Sequence, residues 1–259
     1  MILFFSVMTA LLSFIAVIFL VDQFMYKPKA YKVVWAIGLF VYGVAGLAQT
    51  FAVSSHWTLM EYRVWFLTGA ILAAPYLGMG TFYLLGPKKW ANGLMTVIGA
   101  FSLYALYRTL TVSLTSVSGI PANETPQQWI TTASFDAVVN TGKYSIMPND
   151  IVFVIIVLNS LGALTLVGGA AWSAWKLFRT HQNGNRFISM VLIVIGGLAP
   201  TAAGTLTKSG VSGAFYLLTF VGALFLLAGY LVSIDVATVF RVPFTKKILI
   251  NRESAAVSK

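Results

Sequence analysis

The stretch MILFFSVMTALLSFIAVIFLVDQFMYKPKAYK, residues 1–32, decides the fold. From Ile2 to Val21 it carries no charge; Asp22, Lys27, Lys29 and Lys32 then follow in quick succession. At 1.5 Å per residue, a helix over 2–21 crosses a hydrocarbon core of about 30 Å. No basic segment precedes the run and no small-residue cleavage site follows it, so it reads as a retained first helix and not as a signal peptide. The lysines behind it place that end in the cytoplasm and the N-terminus outside.

Six more apolar runs follow, at about 33–53, 62–85, 92–114, 150–177, 187–207 and 214–234. Together the runs predict an all-α integral membrane protein. A seven-transmembrane-helix bundle occupies 1–235, with a long extracytoplasmic loop at about 115–149 between the fourth and fifth helices. A short basic tail, 236–259, ends in the cytoplasm. Composition agrees: 58% of the 259 residues are hydrophobic, 9% are charged, and the mean hydropathy is +0.85. A soluble domain carries about 25% charged residues. The net charge of +10 does not point to nucleic acid, because the positive residues sit at the ends of apolar runs and form no basic face.

Those positive residues sort into alternate gaps. Lys27, Lys29, Lys32, Lys88, Lys89, Lys176, Arg179, Arg186 and the tail residues Arg241, Lys246, Lys247, Arg252 and Lys259 fall on one side. The other side holds only Arg63, Arg108, Lys143 and Lys208. The positive-inside rule therefore sets the N-terminus outside and the C-terminus inside, which an odd helix count also demands. Trp35, Trp90, Trp172 and Trp175 mark the inner ends of runs, and Trp57 and Trp65 the outer ends, where an indole prefers the headgroup zone. A multi-pass protein of the plasma or inner membrane is expected.

Much familiar chemistry is missing. There is no cysteine, so thiolate metal sites and Cys nucleophiles are excluded. His56 and His181 fall on opposite sides of the membrane and cannot share a metal or form a bis-His haem. No run carries a central carboxylate, which argues against an ion-coupled pump. No nucleophile–base pair is visible, so the chain reads as non-enzymatic, without catalytic residues or a metal.

The seven-run arrangement resembles the microbial rhodopsins, and Arg63-Val64-Trp65 at the start of the third run is similar to an Arg and a Trp on their third helix. That resemblance implies a retinal Schiff base on a seventh-helix lysine and a carboxylate counter-ion on the third helix. The run 214–234 has no lysine and the third run has no central carboxylate, so no retinal Schiff base forms here. The helix count also resembles the SWEET sugar transporters, but runs one to three and five to seven share no repeated pattern.

Small residues at helical spacing, such as Gly69 with Ala73, Ala70 with Ala74 and Ala199 with Ala203, predict close helix packing. Pro75, and Pro200 beside Gly196 and Gly197, interrupt helices and are candidate hinges. Arg108 is the deepest charge, with Tyr104 and Tyr107 near it. Glu61 and Arg63 stand at the mouth of the third run, and Gln49, Thr50 and Asn159 are polar groups in the outer half. These eight form the candidate ligand site, a pocket opening outward beneath the long loop and suited to a lipid, quinone or pigment. The expected function is a receptor-like, sensor or binding protein for a small hydrophobic or amphipathic molecule. Alternatives are an accessory subunit of a larger membrane complex and an uncoupled transporter or channel. Expected partners are the lipid bilayer and a membrane protein or second copy of the chain, without nucleic acid. Asn123-Glu124-Thr125 matches a glycosylation sequon, and a short helix is expected near 125–131.

Because the chain has no cysteine, an engineered one is its only thiol. We expect Ser116→Cys to react with a membrane-impermeant maleimide on intact cells, and Lys89→Cys to react only after permeabilisation. The reverse pattern would overturn the orientation.

Overall fold

The computed structural model describes residues 1–55, 57–112, 149–179, 184–208, 213–232, 239–241 and 248–251. His56, His181 and the loop sequon and helix expected within 115–149 lie outside the described residues.

The apolar runs are helices. They are α1 (Ile2–Tyr26), α2 (Ala30–Ser54), α3 (Leu59–Trp65), α4 (Ala73–Leu85), α5 (Lys88–Thr111), α6 (Asn149–Ala163), α7 (Gly169–Arg179), α8 (Gly184–Lys208) and α9 (Ala214–Val232). A π-helical segment, Phe66–Leu72, joins α3 to α4, and another, Leu164–Gly168, joins α6 to α7. Among the described residues, six continuous stretches are long and apolar enough to cross a membrane: Ile2–Tyr26, Ala30–Ser54, Leu59–Leu85, Lys88–Thr111, Phe153–Arg179 and Ala214–Val232. Within α8 the described residues include a further apolar stretch, Phe187–Pro200. The protein is thus an all-α membrane bundle with six candidate spans among the described residues. In the tail, where no strand was expected, the backbone forms a short antiparallel pair, β1 (Val239–Arg241) and β2 (Ile248–Asn251), with Val239 opposite Asn251.

Contacts between helix ends fix the up–down order. Phe5 of α1 lies 5.6 Å, ring to ring, from Phe220 of α9. Arg63 of α3 reaches the end of α5, and Arg108 of α5 reaches the start of α6. One face of the bundle therefore collects the start of α1, α3, α6 and α9 and the end of α5; it is called here the amino-terminal face. The opposite ends carry Lys27, Lys29, Lys88, Lys89, Lys176 and Arg179.

Lipid offers no hydrophobic drive for one helix to join another, so close packing and hydrogen bonds hold the bundle together. The tightest crossing runs between α4 and the fifth span. A Cβ on Gly162 would collide with the Ala74 carbonyl, and one on Gly78 would lie 2.5 Å from the Gly162 oxygen. Only glycine permits backbone to meet backbone at that distance. The π segments lie beside this crossing. In the first, the Ala73 N–H reaches five residues back to the Thr68 carbonyl. In that register the Ala70 carbonyl faces Pro75, which has no N–H to give. Asn159 fills the vacancy, donating from Nδ2 to the Ala70 oxygen at 2.8 Å. Elsewhere Tyr42 donates to the Thr219 carbonyl at 2.9 Å, Trp35 to Leu77 at 3.0 Å and Ser189 to Gly229 at 2.5 Å.

Gly93 on α5 faces open space, in contrast to Gly162. We expect Gly162→Ala to destabilise the bundle by about 1–3 kcal/mol, as overpacking does. Gly93→Ala should stabilise it by about 0.5–1 kcal/mol through the helix propensity gained. Thermal unfolding in mild detergent measures both, and equal shifts at the two positions would contradict the crossing.

Candidate functional site

Just to the amino-terminal side of the α4–α6 crossing, the helices part around a cavity of about 460 Å³. Its walls come from α1, α2, the third and fifth spans, α8 and α9; α5 contributes nothing. The separation has a local origin. The facing residues are small, among them Ala45, Gly46, Gly69, Ala70, Ala73 and Ala163, and they leave space between backbones that larger neighbours hold apart. Toward the amino-terminal face the cavity is bounded by Trp65, Phe66 and Phe215. These belong to an aromatic cluster in which Trp57 packs edge-on against Trp65 at 5.8 Å and Trp65 against Phe215 at 6.0 Å. Trp57, Tyr62, Trp65 and Phe66 are all fully or almost fully buried. At the deep end Leu77, Leu166 and Leu226 close the space.

The lining is mostly apolar, and no Lys, Arg, His, Asp or Glu belongs to it among the described residues. Two amide side chains stand in this wall. Gln49 is 3% exposed, and its Oε1 has no hydrogen-bond partner among the described residues. Asn159 spends its Nδ2 on the Ala70 carbonyl, and its Oδ1 is likewise without a partner. A buried, unpaired carbonyl oxygen costs about 1–3 kcal/mol. Among the other hydroxyls of the wall, Thr9, Tyr42 and Thr219 bond backbone carbonyls, and Ser160 is exposed.

The residues expected from sequence to form one site divide between several places. Gln49 and Asn159 line the cavity, as do Gly196, Gly197 and Pro200 of the proposed hinge. Thr50 points back along its own helix, donating to the Gly46 carbonyl at 2.8 Å. Pro75 is buried against Gly162 at the crossing. The other five lie toward the amino-terminal face and are not part of the lining. Glu61 and Thr58 form a reciprocal capping box that starts α3. Arg63 donates to the carbonyls of Leu110 and Val112, each at 2.6 Å, and so caps the end of α5 where the helix dipole favours a cation. Arg108 grips Asp150 with both Nε at 2.7 Å and Nη2 at 3.3 Å, and Tyr104 donates to the same carboxylate at 2.5 Å. Tyr107 is exposed.

The small residues of the wall were assigned to close helix packing by sequence reading, and Trp65 to the outer headgroup zone. Their signal was present: small residues recur on the second, third and fifth runs at the same depth. The same signal means tight contact at Gly78 and Gly162 and open space at Ala45 and Ala70, and only the tertiary arrangement separates the two.

Comparison with protein-family models, with curated proteins and with solved structures found no match for this chain.

At the surface cluster, the hydrogen bond from Arg108, then that from Tyr104, holds the Asp150 carboxyl at about 2, below its ordinary 3.8. A carboxyl whose folded value is depressed lends stability that is complete above its unfolded value and is lost as pH falls through the folded one. The difference in thermal midpoint between the parent and Asp150→Asn should therefore be constant from pH 5 to neutrality, shrink below about pH 4 and vanish near pH 2. A difference that grows with acidity would contradict the ion pair.

Proposed function

We propose that this chain is a non-enzymatic, seven-helix membrane protein that binds a small hydrophobic or amphipathic ligand in its central cavity. The observation that carries the reading is the cavity itself. Its volume of about 460 Å³ falls within the range of about 300–1,000 Å³ that small-molecule sites occupy. The wall is largely apolar, which favours a hydrophobic or amphipathic occupant.

The orientation proposed is N-terminus outside, in a plasma or inner membrane. The lysine-bearing ends lie opposite the amino-terminal face, as a cytoplasmic surface would. The α8 helix is proposed as the seventh crossing, since its 25 residues reach about 37 Å. On this orientation the cavity lies in the outer half and centre of the bundle, roofed by the Trp57–Trp65–Phe215 cluster. A ligand reaching it from the outer side acts on that roof and on the Gly196–Pro200 segment of the wall. Any output then passes to a partner at the cytoplasmic loops.

One observation favours a second reading, that of an accessory subunit. The α5 helix takes no part in the cavity, and both Gly93 and Gly99 on it face open space. Such a helix suits docking against another membrane helix.

Native mass spectrometry of the mildly solubilised protein separates the readings. We expect a small-molecule adduct on the parent chain and its loss in Ala73→Phe, which fills the cavity. A stoichiometric partner chain without an adduct supports the subunit reading, and a bare single chain opposes both.

A further inference from the structure

We propose that the cavity is entered sideways from the bilayer, through a mouth between α6 and α8 at the level of Ser160, and that its ligand is a bilayer lipid whose linear hydrocarbon chain enters first. The proposal rests on the cavity being a ligand site. It adds the route into that site and the class of molecule able to take it.

Among the described residues, the ring of helices around the cavity is closed at every junction but one. The α1 helix packs along α2, α2 along the third span, the third span along α6, α8 along α9 and α9 along α1. Between α6 and α8 no such packing is present. The fifth span packs against α8 farther toward the lysine-bearing face, through the Leu164–Gly168 segment and α7. At that junction a Cβ on Gly197 would lie 2.9 Å from Leu166 Cδ2 and 3.2 Å from Val167 Cγ2. On its amino-terminal side the two helices part. The α5 helix does not cover the opening, since it packs against the third span and α6 and not along α8.

The gap reaches lipid. Phe153, Ile156 and Leu164 are 63%, 50% and 70% exposed. With Ser160 they recur every three or four residues, so the four occupy one outward face of the fifth span. Ser160 is exposed in that row, and it also lines the cavity. A residue that belongs to both surfaces marks the place where they join. Across and beside it, Ala163, Gly197 and Pro200 bring only small or compact groups to the lining. The ways in along the bundle axis are shut. Trp57, Tyr62, Trp65 and Phe66 are at most 2% exposed and pack ring against ring, and Leu77, Leu166 and Leu226 close the deep end.

Depth decides what passes. Ser160 is ten residues beyond Asp150, which pairs with Arg108 at the amino-terminal face. Ten residues of helix rise about 15 Å, half of a hydrocarbon core of about 30 Å. The mouth therefore opens near the middle of the bilayer, among chain ends and away from headgroups. A phosphate or ammonium group at that depth is costly, and the described lining offers no opposite charge. A hydrocarbon chain meets no such barrier. It exchanges one apolar medium for another, so close contact with the wall holds it, not expulsion from water. The polar head stays outside, and the chain runs from Ser160 toward Trp65, Phe66 and Phe215.

Photolabelling of the full-length protein in phosphatidylcholine vesicles tests the proposal. The probes are hexadecanol with a diazirine near its methyl end and a phosphatidylcholine whose acyl chain carries the same group. Peptide mapping by mass spectrometry locates the label. We expect label within Gly69–Ala73, in the cavity wall, and on the outward residues Phe153 and Leu164. Ser160→Trp, Ala163→Trp and the double variant narrow the mouth. At least one should lower the cavity label about tenfold, as when a large side chain must be displaced from filled space, with the outward label unchanged. Ser160 is exposed, so Ser160→Trp displaces no packed neighbour and reports even where Ala163→Trp unfolds. Cavity label from both probes identifies phospholipid chains as occupants, and label from hexadecanol alone a single-chain lipid; either supports the proposal. Cavity label undiminished in every folded variant would overturn sideways entry. Absence of cavity label in a parent chain that carries a small-molecule adduct in native mass spectrometry would overturn the lipid-chain assignment while leaving the ligand site. Absence of both label and adduct would overturn the ligand site and this proposal with it.

Discussion

The close approach of α4 to the fifth span, with Gly78 and Gly162 in backbone contact, is the constraint on which the rest of the bundle depends. It sets two spans nearer than any pair of side chains allows. Pro75 deprives its own helix of a donor at this crossing, and the helix answers by slipping into a π register upstream. That slip leaves the Ala70 carbonyl facing the neighbouring helix, and in a bilayer such a group needs a partner from protein. Asn159 supplies it. One polar side chain therefore holds the register of two spans, and the same residue lines the cavity. Structure and candidate site meet in a single residue.

The cavity follows from the same geometry. Helices pinned together at one depth diverge on either side of the pin. Toward the lysine-bearing ends the gap is filled by Trp35, whose indole lies over Gly80 and donates to the Leu77 carbonyl. Toward the amino-terminal face the side chains are alanines and glycines, and the gap stays open until Trp65, Phe66 and Phe215 close it. The aromatic roof is in turn fixed by α3, whose start is set by the Thr58–Glu61 capping box. Arg63, two residues on, ties that start to the end of α5. The charged groups of the amino-terminal face thus brace the roof without entering the cavity.

The helices were legible in the sequence to within a few residues, because a bilayer admits little besides long apolar helices. The run 33–53 is α2, Ala30–Ser54, and the run 92–114 overlaps α5, Lys88–Thr111. The start of the third span is set by Thr58-x-x-Glu61, a signal visible in the sequence that the apolar run alone placed three residues late. The π segments were not legible, since they arise from a contact between helices and not from local propensity. The site divided in the same way. Gln49 and Asn159 stood out as amides in apolar runs, and they do meet at one cavity. Arg108 also stood out, but charge marks a residue as unusual without saying what it faces, and Asp150 answers for it locally. Trp65 and Phe215 gave no signal, because an aromatic residue near a helix end reads as an interface anchor whether it faces lipid or a cavity.

The separation of charge from cavity bears on mechanism. A membrane bundle that moves ions or protons needs titratable groups along its path. Here the ionic pair of Arg108 and Asp150 is committed to bracing helix ends, and the described cavity wall holds amides, hydroxyls and rings. Such a wall offers shape and hydrogen bonding, not charge. The element of the wall that carries a proline beside glycine contacts is α8. Gly196 and Gly197 permit close contact with Leu226 and Leu166, and Pro200 presses on Gly222 of α9. A proline within a helix removes one internal hydrogen bond, so α8 bends there at less cost than elsewhere. Gly196, Gly197 and Pro200 thus place the point where α8 is weakest in the cavity wall, and α8 runs from there toward the lysine-bearing face.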